Sequence, residues 1–194
     1  YNLTAIRKPL EMVDKHLLDS LSLLPHVMDQ PLLDVGAGAG LPGLVLAIVK
    51  AGAKVCEGAS VRDEPPGEAG AASRRDEFSV TLVDAVAKKV QFMQHAIRTL
   101  KLGNARALHT RIEDLGGQYP QITSRAFASL ADFVSLTRPL LAPGGRWLAM
   151  KGHIPHDELA ALPSGIEVCA MPQLRVPFSL GERHLILLTD KETP

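Results

Sequence analysis

The residues best suited to chemistry in this sequence lie in Asp34-Val35-Gly36-Ala37-Gly38-Ala39-Gly40-Leu41-Pro42-Gly43, four glycines in eight residues after the apolar run Pro31-Leu32-Leu33. Lacking a Cβ, Gly36, Gly38 and Gly40 can take positive φ and let a ligand approach the main chain. The apolar stretch Leu44 to Val49 that follows reads as a helix whose first free N–H groups point back at the loop. Pro42 suits the first turn of such a helix, where a missing N–H costs nothing. A strand, a glycine turn and a helix N-terminus together make a cradle for a nucleotide-like cofactor at the carboxyl end of a parallel sheet.

Two cofactors fit that cradle on spacing alone. Gly38-x-Gly40-x-x-Gly43 satisfies the dinucleotide fingerprint of NAD enzymes. Asp34, two residues before a Gly-x-Gly-x-Gly run, resembles instead the first motif of the class I S-adenosylmethionine-dependent methyltransferases. Asp84 closes the apolar run Phe78 to Val83, where an acid either accepts hydrogen bonds from ribose hydroxyls or caps the helix that follows. Ile112, Glu113 and Asp114 follow a third short strand, a place for adenine contacts or for a capped turn. Arg125, at the end of a fourth strand, is either a site residue or an ion-pair partner. His153 and His156 are three apart, but Pro155 intervenes and no Cys or acid completes a metal set. No G-x-S-x-G elbow and no Walker lysine occurs, which removes the main hydrolase and phosphoryl-transfer readings.

The elements that must position these residues alternate strand and helix. Leu10, Val13, Leu17, Leu21 and Leu24 recur at helical spacing, predicting a helix over 9–24 with one face on the core and with His16 and Asp19 in a bland surface role. Strands are expected at 31–35, 78–83, 105–109, 121–127, 146–150, 166–171 and 184–189. Helices are expected at 86–100, 130–141 and 157–162, the first burying Val86, Val90, Met93 and Ile97. The stretch 50–77, with neither helical nor alternating pattern, reads as a mobile loop or insertion. With 194 residues and 46% hydrophobic composition the chain suits one α/β domain. Two cysteines that form neither a C-x-x-C pair nor a disulfide framework point to a reducing, cytoplasmic setting. No run approaches a membrane span, and a monomer is expected. The formal net charge is zero, yet between Asp84 and Lys151 ten Lys and Arg stand against four Asp and Glu. That local positive balance is what a phosphate-bearing partner needs, and equally what solvated helix charges give.

Tyr1-Asn2-Leu3-Thr4-Ala5-Ile6-Arg7, His16-Leu17-Leu18-Asp19-Ser20, Asp34 to Gly43, Ser124-Arg125-Ala126-Phe127-Ala128, Lys151-Gly152 and Gly181-Glu182-Arg183-His184 resemble, in this order, the bacterial small-subunit ribosomal RNA guanine-N7 methyltransferases, also called glucose-inhibited division protein B. The resemblance implies a Rossmann-like, mostly parallel sheet with helices on both faces. It implies S-adenosylmethionine as cofactor and 16S ribosomal RNA, or the small ribosomal subunit, as partner, with methyl transfer to guanine N7 in the decoding-region loop. By the same resemblance Gly36, Gly38, Gly40 and Leu41 belong to the cofactor loop, Asp84 is the ribose acid, Ile112 and Glu113 flank the adenine, Arg125 lies in the cofactor pocket and Lys151 holds RNA. No catalytic base is implied, because N7 carries a free lone pair. Two departures from the family pattern stand out: the 50–77 stretch, and the family's amino-terminal helices, which this sequence does not include.

Overall fold

A computed structural model describes residues 8–56, 77–125, 127–178 and 181–191. Its centre is a sheet of seven strands: β1 (Leu32–Val35), β2 (Val80–Asp84), β3 (Ala105–His109), β4 (Tyr119–Arg125), β5 (Leu141–Lys151), β6 (Ile166–Ala170) and β7 (His184–Asp190). They lie in the order β3-β2-β1-β4-β5-β7-β6. β1 to β5 pair in parallel, whereas β7 is antiparallel to both β5 and β6. The standard dinucleotide fold uses six strands in the order 3-2-1-4-5-6, so an antiparallel strand set between the fifth and sixth departs from it.

Every residue of β1 and β2 is buried. Such strands read as continuous apolar runs because helices cover both faces of the sheet. Successive residues point to opposite faces, and neighbours accordingly enter two different cores. Leu32, Leu82, Leu148 and Leu185 join Leu46 and Met93 on one side, while Leu33, Val83, Trp147 and Ile186 join Phe133 and Val134 on the other. The covering helices are α3 (Gly43–Cys56), α4 (Ala87–Thr99) and α5 (Leu130–Thr137), with α6 (His156–Ala160) beside α5. Ser129 caps α5, its hydroxyl accepting the Asp132 N–H at 3.1 Å.

Four expectations are corrected. Helix α3 continues to Cys56, so the first residues of the stretch read as patternless are helical, and 57–76 lie outside the described residues. The amino-terminal segment is helical, but as α1 (Pro9–Met12), a π-helical stretch Val13–Leu18 and α2 (Asp19–Leu21). Bonding from i to i+5 underwinds the chain and rotates the 3.6-period stripe away from the core. Leu10, Val13 and Leu17 are therefore exposed, and Asp19, Ser20 and Leu23 are buried instead. Val86 also stays exposed, because it precedes α4 as its extended N-cap residue. The Pro143-Gly144-Gly145 turn is absorbed into a longer β5, with its irregular register at Tyr119 to Gln121.

Gly43 is where loop, helix and sheet meet. A Cβ built there would lie 2.7 Å from Asp34 Oδ2, 2.9 Å from Leu82 and 3.0 Å from Val80. Gly52, later in the same helix, would meet nothing within 4 Å. Gly43→Ala is expected to destabilise the protein by about 1–3 kcal/mol through overpacking, and Gly52→Ala to stabilise it by about 0.5–1 kcal/mol. Urea unfolding of the two variants measures both, and equal effects would contradict the packing described here.

Candidate functional site

β1, β2, β3 and β4 end at one edge of the sheet, and the chain's strand order reverses between β1 and β4. That reversal is where open α/β sheets leave a crevice for ligands. A cleft of about 300 Å³ opens there, its wall including Gly36 after β1, Asp84 ending β2, Arg111, Ile112 and Glu113 after β3, and Phe127 after β4. Four of the residues expected at a cofactor site (Gly36, Asp84, Ile112 and Glu113), spread over much of the chain, therefore share one wall.

The glycine loop is shaped by backbone conformations that only glycine adopts freely. Gly36, Gly38 and Gly40 have φ of +64°, +61° and +85°. A Cβ at Gly36 would meet nothing within 4 Å, so its main chain faces open space. Gly40 and Leu41 instead build the turn into α3: their N–H groups donate to the Ala37 carbonyl at 2.8 and 3.0 Å, and a Cβ on Gly40 would lie 2.3 Å from the Leu44 side chain. They are not part of the cleft wall. Gly38 reaches the site through Asp84, whose Oδ2 accepts its N–H at 3.0 Å.

Asp84 braces the turn into α4 and lines the cleft. Its Oδ1 accepts the Val86 N–H at 2.8 Å, the start of α4, while Lys89 Nζ lies 3.4 Å from Oδ2. Only 6% of Asp84 is exposed. The carboxylate thus ties β2, α4 and the glycine loop together and still lines the cleft.

Asp34 lies beneath this arrangement and is fully buried. Its Oδ2 accepts the Gly43 N–H at 2.8 Å, and its Oδ1 has no partner among the described residues. Burial raises its pKa to about 7, opposed by the Gly43 N–H and the Arg125 charge and reinforced by the Asp84 charge.

Arg125 lies outside the cleft wall. Its Nη1 donates to Asp19 Oδ2 at 3.2 Å and to the Lys15 carbonyl at 3.3 Å, and lies 3.4 Å from His16 Nδ1. Arg183 Nε donates to the other Asp19 oxygen at 2.8 Å. Asp19 is thus a buried hub for two guanidinium groups, not the surface residue its helical position suggested. Burial and the Arg125 charge lower the pKa of the adjacent His16.

Lys151, expected to hold RNA, has its ammonium bonded to both Glu158 oxygens at 2.7 and 3.0 Å, with its side chain 14% exposed. Glu158 Oε2 also accepts the Leu130 N–H at 2.7 Å. The pair braces the end of β5 against α5 and α6. Phe127 and Arg111 line the cleft without having been singled out from the sequence. The Asp19–Arg183 pair also escaped notice, because its partners are 164 residues apart. Among the described residues no group of three or more His, Cys, Asp or Glu could hold a metal ion, and no helix is long and apolar enough to cross a membrane.

The family model described as GidB, rRNA small subunit methyltransferase G, matches residues 1–56 and 72–186. The internal unmatched segment, 57–71, lies within the stretch read as an insertion. A ribosomal RNA small subunit methyltransferase G of Stenotrophomonas maltophilia is 46% identical over 191 residues, covering 97% of this chain and 78% of the relative. The protein of that name from Xanthomonas axonopodis is 43% identical over 190 residues with the same coverage. Among solved structures, a SAM-dependent methyltransferase from Aquifex aeolicus aligns with a TM-score of 0.59 at 16% identity, covering 93% of each chain. Pyrococcus horikoshii TYW2, solved in complex with MeSAdo, aligns with a TM-score of 0.63 at 11% identity, covering 96% of this chain and 65% of that one. The fold is that of the class I, Rossmann-like methyltransferases.

The buried Asp34 generates a pH dependence. Its folded pKa of about 7 exceeds the ordinary 3.8, so its contribution to stability is full below about pH 4 and is lost as pH rises through 7. Relative to Asp34→Asn, the ligand-free wild type should lose on the order of 4 kcal/mol across that window and nothing further above it. Denaturant unfolding from pH 4 to 8 checks this, and parallel profiles for the two proteins would contradict it.

Proposed function

The chain belongs to the GidB family of small-subunit ribosomal RNA methyltransferases, and we propose that it moves a methyl group from S-adenosylmethionine to N7 of a guanine in the decoding-region loop of 16S ribosomal RNA. The observation that carries the reading is the convergence of Gly36, Asp84, Ile112 and Glu113 on one cleft at the strand-order reversal. The residues present fit the cofactor: an open glycine main chain, a carboxylate able to accept ribose hydroxyls, an apolar side chain with a neighbouring acid for the base, and a buried carboxylate oxygen on Asp34 that lacks a donor.

When bound, the cofactor supplies a sulfonium-activated methyl group, which the N7 lone pair accepts as the sulfur–carbon bond breaks with its electrons passing to sulfur. The chain therefore needs no general base. Its residues act by position. Gly36 allows close approach of the main chain, and Asp84 holds the ribose while keeping Gly38 and the start of α4 in register. Ile112 and Glu113 flank the adenine. Phe127 closes the wall on the β4 side, where the nucleobase would enter. Holding N7 in line with the methyl group, about 3–3.5 Å away, supplies most of the acceleration. N7 lies on a base edge, so an unpaired or splayed loop nucleotide is the suitable substrate. Lys151 is the weakest of the proposed contacts, because its charge is already bonded to Glu158; exposed Arg111 in the cleft wall is the better placed cation.

Calorimetry with S-adenosylmethionine and with NAD separates this reading from a dinucleotide enzyme, and transfer of labelled methyl to 16S RNA separates it from a binding module. Asp84→Ala is expected to weaken S-adenosylmethionine binding by about 1.5–3 kcal/mol through loss of charged hydrogen bonds. It should also lower the thermal unfolding temperature, because Gly38 and Val86 lose their acceptor. A variant that unfolds earlier yet binds the cofactor as the wild type does would leave Asp84 a purely structural residue.

A further inference from the structure

The connection from β6 to β7 is a hairpin that extends beyond the sheet on the side of the cleft. Its arms stay paired after the ladder ends: Leu174 N–H donates to the Arg183 carbonyl at 2.7 Å, Leu185 N–H to the Pro172 carbonyl at 3.0 Å, and Gln173 bridges His184. His184 is itself paired with Lys151, the last residue of β5, so the hairpin tip lies past the carboxyl-terminal edge of the parallel strands. The root is anchored through Arg183 to buried Asp19.

Phe178 stands near that tip. It is 88% exposed, more than any other large apolar side chain among the described residues. Its φ is +63°, a conformation strained for an aromatic residue that persists where the surroundings impose it and that marks sites of function more often than chance. The described residues next to it along the hairpin include exposed Arg175, Pro177 and Glu182. An exposed aromatic face on a hairpin that also carries exposed Arg175 is the chemistry that holds single-stranded RNA, by stacking one base and attracting phosphate.

We propose that Phe178 is a stacking platform for an RNA base flanking the methylated guanine; this rests on the function proposed above. The flanking base is meant because β7 lies three strands from β1, about 14 Å at the usual strand spacing. The ring therefore steers the RNA while the cleft holds the reacting base.

Steady-state methyl transfer and RNA-binding anisotropy with naked 16S RNA and with small subunits provide the test. Phe178→Gly removes the ring and installs the residue that takes positive φ freely, so its thermal unfolding temperature should not fall. The KM for RNA should rise about tenfold, with kcat and S-adenosylmethionine affinity unchanged, and Phe178→Trp should restore the KM. Parental KM and RNA affinity in Phe178→Gly would overturn the proposal. So would equal impairment of the glycine and tryptophan variants, or a defect seen with subunits but not with naked RNA, which would indicate a protein contact. A wild-type protein that methylates neither RNA would overturn the proposed function and this inference with it.

Discussion

A loop that carries three residues at positive φ has few ways to hold a single shape, and here the Asp84 carboxylate supplies the constraint. One oxygen takes the Gly38 N–H and the other the Val86 N–H, so the glycine turn after β1 and the helix after β2 share one acceptor. Asp34 provides the second tie through Gly43. Between the two ties the main chain at Gly36 stays open to the cleft. Preorganisation of this kind lets a ligand bind without ordering the loop at the moment of binding. It also leaves Asp34 fully buried, and that burial raises its pKa against the opposing Gly43 N–H.

Much of the positive excess in the middle of the chain is used inside the molecule. Arg125 meets Asp19, Arg138 grips Asp190 with two hydrogen bonds of 2.7 and 2.9 Å, and Lys151 meets Glu158. All three acids lie outside the segment that holds the excess, so a charge count by sequence window could not reveal the pairing. The cations remaining at the surface include Lys88, Arg98, Lys101 and Arg111. The charge left for a phosphate-bearing partner therefore rests on a few exposed side chains.

The sheet was legible because parallel strands buried on both faces are mostly apolar, and Leu32-Leu33 and Leu82-Val83 read that way although Asp34 and Thr81 are buried among them. The cleft was legible where its residues sit directly at strand ends, as Gly36 and Asp84 do. What periodicity could not show was the π-helical stretch before β1. It has an ordinary helical pattern of leucines, and only the register of its hydrogen bonds turns them outward and buries Asp19. Nor could spacing show which strand-end cations are free: Arg125 and Lys151 are both positioned as site residues in sequence and both meet acids in space. Gly40 and Leu41 belong to the glycine motif yet serve the turn, because a motif records a backbone path and not which of its atoms faces the ligand.

On the proposed function, the cleft presents one methyl group to one guanine N7. This is tested most directly by incubating the protein with S-adenosylmethionine and small ribosomal subunits or 16S RNA, then mapping the modified nucleotide by mass spectrometry of nuclease fragments and by cleavage chemistry specific for N7-methylguanine. A single N7-methylguanine in the decoding-region loop is the expected product. Methylation at another atom, at scattered guanines, or not at all would contradict it.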